Sequence, residues 1–228
     1  TTNHSLVAYA ASFSDKVTNI RTEINRDNLK DAIKLLQKIK VGSENEQEQI
    51  DLLFGDIYLK INKPSKAEEF YEKSFMTSDA RIESLTFVGL AEVKLRQGQL
   101  DKAIDFAEKS LVVNSDNVRP KILLALAKTR IGEKEEALDI LNNLYANQSD
   151  NADVNLAIAG YHSSFDNNTK AIEILDKYLK SNPTSIKVMD ELGNLYWLTG
   201  NKDKALELKI KVLKHHEFNK NKYQVKKI

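Results

Sequence analysis

Six alanines stand along this chain at nearly constant intervals: Ala32, Ala67, Ala103, Ala137, Ala171 and Ala205, separated by 35, 36, 34, 34 and 34 residues. A period of that length marks stacked two-helix units. Five residues before the anchors come Asp27, Asn62, Gly98, Gly132, Asp166 and Gly200. All are residue types that tolerate the left-handed backbone where one helix stops and turns. Twelve before them, five of six residues are small: Gly55, Ala91, Ala125, Ala159 and Gly193, with Ile20 the exception. A small residue there lets two helices approach closely. Bulky side chains recur around the contact, such as Phe54, Leu90, Leu124, Ile158 and Leu192 one position earlier. Between the units lie polar turns, among them "NSDN" at 114–117, "NQSDN" at 147–151 and "SNPTS" at 181–185. One hairpin cannot bury its apolar faces alone, whereas stacked copies bury a continuous core. The six alanines are therefore expected to be enclosed.

The unit resembles the tetratricopeptide repeat, in which a small residue of the first helix packs beside a nearly obligatory Ala of the second. The best copy is "ELGNLYWLTGNKDKALELKIKVL", through Leu192, Gly193, Tyr196, Gly200 and Ala205; a second is Leu53 to Phe75, through Phe54, Gly55, Tyr58, Ala67 and Tyr71. The copy around Ala32 departs most, with Asn19 and Ile20 where the pattern has a large residue and then a small one. The resemblance implies an all-α, right-handed superhelical solenoid of about six helical hairpins over residues 13–219. Residues 1–12 read as an N-terminal helical extension and residues 220–228 as a basic C-terminal tail. Both ends read as edges of a longer protein.

In the resembled family the first helix of each hairpin lines a concave groove. Positions fifteen, eleven and eight before each anchor share one helical face, because i, i+4 and i+7 are neighbours. They give Val17 and Arg21 in the first copy, Leu52, Asp56 and Leu59 in the second, and Val88, Glu92 and Leu95 in the third. The fourth gives Ile122 and Leu126, and the sixth gives Trp197. This face is apolar with interleaved charges, which suits a partner peptide or helix. For its apolar members, contact with a partner and contact with the neighbouring hairpin are both open. Relatives that grip the acidic tails of cytosolic heat-shock chaperones carry Lys and Asn at the first two positions. Here the pairs are Val17 with Arg21, Leu52 with Asp56 and Val88 with Glu92, so that clamp is absent.

Several chemistries lose their basis. A formal net charge of +1 supplies no field for a nucleic-acid backbone. With no Cys there are no disulfides, thiolate metal sites or thiol nucleophiles. The adjacent His215 and His216 point about 100° apart on a helix and do not chelate as an i, i+4 pair would. His162, nine before Ala171, reads as a packed core residue. No nucleophile elbow, phosphate loop or dinucleotide fingerprint occurs. No catalysis and no cofactor are expected, and no apolar run reaches the ~20 residues of a spanning helix. Glycines at 98, 132 and 200 fit turns and those at 55 and 193 fit close contacts; Gly89 and Gly160, within helices, have no evident role.

The expectation is a non-enzymatic interaction scaffold or adaptor. Self-assembly through groove docking, and a recognition arm of a larger enzyme, are the alternatives. Asn- and Lys-rich composition suggests a bacterial source and a part in assembling an envelope, pilus or secretion complex. Cytoplasmic and periplasmic settings fit equally.

Overall fold

A computed structural model describes residues 2–76 and 79–225, with side chains described for 12–75 and 79–218. Twelve α-helices and no strand occur among the described residues. In chain order they are α1 (Thr2–Asn25), α2 (Leu29–Lys38), α3 (Glu44–Lys60), α4 (Pro64–Lys73), α5 (Ala80–Arg96), α6 (Leu100–Val113), α7 (Val118–Ile131), α8 (Lys134–Asn147), α9 (Ala152–Ser164), α10 (Asn168–Ser181), α11 (Ile186–Leu198) and α12 (Lys202–Val225). A 3-10 turn at Ser74–Met76 follows α4. Residues 2–12 continue α1 as helical backbone, and α12 carries helical backbone through 220–225. Residues 1 and 226–228 of the proposed end segments lie outside the described residues. The chain divides into two compact units, one ending at Ala127 and the other starting at Lys128.

Each hairpin is closed by the same local device. Asp27, Asn62, Gly98, Gly132, Asp166 and Gly200 have φ of 62°, 57°, 73°, 92°, 60° and 85°. Around each, two backbone bonds complete a Schellman motif. In the first copy Asn28 N donates to Glu23 O at 2.9 Å and Asp27 N to Ile24 O at 3.1 Å; in the last Asn201 N donates to Tyr196 O at 2.8 Å and Gly200 N to Trp197 O at 3.2 Å. The same pair of bonds recurs in the four copies between. These bonds satisfy carbonyls that a helix end otherwise orphans. First helices begin on side-chain caps where the sequence offers them: Ser43 accepts from Glu46 N, Asp79 from Arg81 N and Ile82 N, and Asn151 from Asp153 N and Val154 N.

The six anchoring alanines are 0–1% exposed. In the N-terminal unit the first hairpin forms despite its departures: Ile20 is buried with Phe13, Val17, Ile24, Ala32 and Leu36, together with Ile50, Leu53 and Ile57 of α3. A second cluster joins Leu52 and Leu59 of α3, Ala67 and Tyr71 of α4, and Leu90 and Val93 of α5. Tyr71 is fully buried, its ring slotted between two glycines of neighbouring first helices. A Cβ built on Gly55, or on Gly89, falls 2.5 Å from Tyr71 Cε1. The purpose of Gly89 is thus to give the ring room. A Cβ on Gly160 meets nothing within 4 Å. Buried hydroxyls in this unit meet one another: those of Ser74 and Thr86 lie 2.8 Å apart, and those of Ser84 and Ser110 lie 3.0 Å apart.

In the C-terminal unit the core position expected for His162 goes to its neighbour. Tyr161 is buried, donates from its hydroxyl to Lys134 O at 3.1 Å, and packs edge-on against Phe165. His162 is half-buried, and desolvation pushes its imidazole below the ordinary value. The reason is rotation by one residue: the larger ring with the longer polar reach takes the inner position.

Candidate interaction face

The predicted groove residues separate into two sets. Val17, Leu52, Leu59, Leu95 and Ile122 are buried, Leu52 to 2% exposure. They are held inside the repeat packing. Val17 clusters with residues of α3, and Leu52 and Leu59 with Leu90 and Val93 of α5, because neighbouring first helices pack directly on one another. Val17, Leu52 and Leu59 therefore point into the seam between first helices, and all five side chains are buried in this arrangement. Val88 and Leu126 are partly exposed, and Trp197 is exposed.

The middle position behaves differently. Arg21 of α1, Asp56 of α3 and Glu92 of α5 are equivalent residues of successive copies, and all three keep partial access to solvent. They belong to a polar network in the N-terminal unit. Tyr71, at the inner end of its slot, donates its hydroxyl to Asp56 Oδ1 at 2.8 Å. Glu92 accepts from Arg96 Nη2 and from Arg119 Nη2, each at 2.7 Å. Arg96 Nη1 also donates to Leu59 O at 2.7 Å, tying α5 to the end of α3. Arg21 Nη2 is buried and finds no hydrogen-bond acceptor among the described residues.

The electrostatics follow from who has partners. Desolvation pushes the Asp56 carboxyl up to about 6; the Tyr71 hydrogen bond and the Arg21 charge oppose this and do not cancel it. Desolvation also pushes Glu92 upward, but Arg119 and Arg96 outweigh it and hold the carboxyl below its ordinary value. Burial, with Asp56 next to it, drives the Tyr71 hydroxyl far above the usual phenol range. At neutral pH the row thus carries Arg⁺, a weakly held Asp⁻ and a firmly ionised Glu⁻ flanked by two Arg⁺. Arg96, Arg119 and Tyr71 lie off the three positions considered from sequence. Arg119 sits a full helical stretch before the equivalent position of its own copy, so the repeat register carried no signal for it.

This row presents guanidinium donors and carboxylate acceptors side by side. No group of three or more metal-ligating side chains occurs among the described residues. No described helix is long and apolar enough to cross a membrane.

Comparison with known families finds residues 92–225, more than half of the chain, matching the family described as "Psidin, N-terminal TPR repeats region", and residues 52–78 matching "Tetratricopeptide repeat". None of the curated protein sequences matches. Among solved structures, the thermophilic TPR protein TTC0263 of Thermus thermophilus is similar at 19% identity over 73% of this chain and 90% of that one, with a TM-score of 0.63. MamA is 25% identical over 74% of this chain and 97% of its own, with a TM-score of 0.47. MamA from residue 41 onward of Desulfovibrio magneticus RS-1 is 15% identical over 75% and 96%, with a TM-score of 0.48. Repeats of this kind are generally non-catalytic modules for protein–protein interaction. With six enclosed alanines, six identical helix-closing turns and a family match over most of the C-terminal two thirds, the chain belongs to the tetratricopeptide repeat family.

Proposed function

We propose that this protein is a non-enzymatic adaptor that holds a segment of a partner protein against the Arg21–Asp56–Glu92 row of its N-terminal unit. The observation that supports this reading is the buried Arg21 Nη2 without an acceptor. An unsatisfied buried donor costs about 1–3 kcal/mol, and more when it is charged. A partner carbonyl or carboxylate recovers that cost once the partly exposed Arg21 side chain turns its guanidinium outward to meet it. Val88 and Leu126, partly exposed on neighbouring first helices, offer apolar contact beside it. Affinity, in this reading, comes from a few charge-assisted hydrogen bonds on a prearranged row.

The test is affinity capture from source extract with the parent chain, Arg21→Gln and Val88→Asp, each variant checked for unchanged helicity and melting. A protein held by the parent and lost by both variants supports the row as the site. Equal capture by all three chains refutes it. A charge placed at buried Leu52 or Ile122 disrupts the core itself and does not report on the row.

A further inference from the structure

The last hairpin carries an apolar stripe that nothing in its own unit covers. Leu206, Ile210 and Leu213 of α12 are 60%, 41% and 58% exposed. Their spacing of four and three residues is that of a coiled-coil seam. Lys202 continues the stripe four residues before Leu206, and Glu217 continues it four residues after Leu213; both are exposed. At 100° per residue, all five fall within about 80° of one face. Beside the stripe stands Lys209. That residue occupies the place filled by fully buried Tyr71, Ala107, Leu141 and Leu175 in earlier copies, and its Nζ is taken up by Asp190 Oδ1 at 2.7 Å and Asn194 Oδ1 at 2.5 Å.

The stripe is complementary to itself. Residues 202 and 217, and likewise 206 and 213, are equidistant from the midpoint between 209 and 210. A two-fold axis at that midpoint, with two copies of α12 antiparallel, sets Leu206 against Leu213 and Lys202 against Glu217 in the same register. Opposite charges thus meet at both ends of an apolar centre. Lys209, nearest the axis, is already neutralised by Asp190 and brings no like-charge contact. No ion pair engages Lys202 or Glu217 among the described residues; Lys202 Nζ instead lies 5.5 Å from the centroid of the Trp197 ring. Beside Leu206 a cavity of about 430 Å³, lined by Trp197, Leu198 and Gly193, is open to an incoming side chain. Leu213 of the second copy is the residue this register brings to it.

We propose that a second copy of this chain docks on this stripe, giving a two-fold homodimer through antiparallel α12 helices. The stripe spans about 22 Å of helix at 1.5 Å per residue. Association through so short a seam is reversible and concentration-dependent.

Sedimentation velocity over a concentration series tests it, with emission of Trp197, the single Trp of the chain, as a second readout. The parent is expected to shift from monomer toward dimer with rising concentration, with a parallel blue shift as Trp197 loses water. Lys202→Glu and Glu217→Lys each place like charges together and are expected to weaken association at least about tenfold. The double exchange Lys202→Glu with Glu217→Lys restores it, and Leu206→Ser abolishes it. All are exposed positions, and circular dichroism verifies that the helices persist. A parent monomeric throughout, association indifferent to the single reversals, or failure of the double exchange to rescue overturns the proposal. Arg21→Gln leaves the association unchanged, so this test stands apart from that of the partner-binding row.

Discussion

Replacing Gly89 by Ala adds one methyl group at a helix interior, where the change ordinarily stabilises by about 1 kcal/mol. Here it is expected to do the opposite. The new Cβ falls 2.5 Å from Tyr71 Cε1, against the ~3.5–4.0 Å of a comfortable carbon contact, so the ring has to retreat by about 1 Å. Retreat is blocked on the other side by Gly55, where the same ring already fills the space a side chain would use. Overpacking of this kind costs about 1–3 kcal/mol. Displacing the hydroxyl from Asp56, 2.8 Å away, adds about 1–3 kcal/mol for a buried polar pair. Less the helix-propensity gain, the net loss is about 3 kcal/mol. Urea unfolding followed by circular dichroism measures it. Gly160→Ala is the control: its Cβ meets nothing, and it is expected to stabilise by about 0.5–1 kcal/mol. Tyr71→Leu shortens the intruding ring, so Gly89→Ala costs far less in that background than in the parent. A Gly89→Ala protein as stable as the parent, or a cost unchanged by Tyr71→Leu, refutes the slotted-ring account.

Asp56→Asn is expected to be more stable than the parent at pH 7 and to lose that advantage in acid. The folded-state value of about 6 lies above the 3.8 of the free group, so folding favours the protonated carboxyl; the parent gains stability as pH falls through 6 toward 4, by roughly 3 kcal/mol at most. Paired melting curves at both ends of that window check it, the difference between the two proteins cancelling other carboxylates; a constant difference refutes it. Ala137→Leu overpacks a fully enclosed anchor and is expected to cost about 1–3 kcal/mol, seen as a lower melting temperature, whereas an unchanged curve would show that the site relaxes freely.

The repeat was legible because each of its parts acts locally. A left-handed turn needs Gly, Asn or Asp whatever surrounds it, and a close helix contact needs Ala; both show in the period itself. Assigning the face was harder. Spacing tells which residues share a side of a helix and places Arg21, Asp56 and Glu92 at one position of successive copies. It does not tell that α5 closes over Leu52 and Leu59, since that depends on how near the next helix stands. Gly89 had no reading because its reason is Tyr71, which comes from a different helix eighteen residues earlier. Arg119 escaped for the same reason: it reaches Glu92 across helices from a position outside the register. His162 and Tyr161 differ by one residue, or 100° of helix, and periodicity alone does not choose between adjacent candidates.

The six closing turns also bear on how the chain reaches its structure. Each pair of Schellman bonds joins residues three and five apart, so a hairpin bends without any distant segment having arrived. The contacts that then reward it lie in the adjoining hairpin. Folding of such a chain has no obligatory starting point, and its low contact order makes the search short. Within the N-terminal unit, amide exchange should accordingly be slower in the α3–α4 hairpin, which has neighbours on both sides, than in α1, a difference set by the number of neighbours rather than by the composition of either copy.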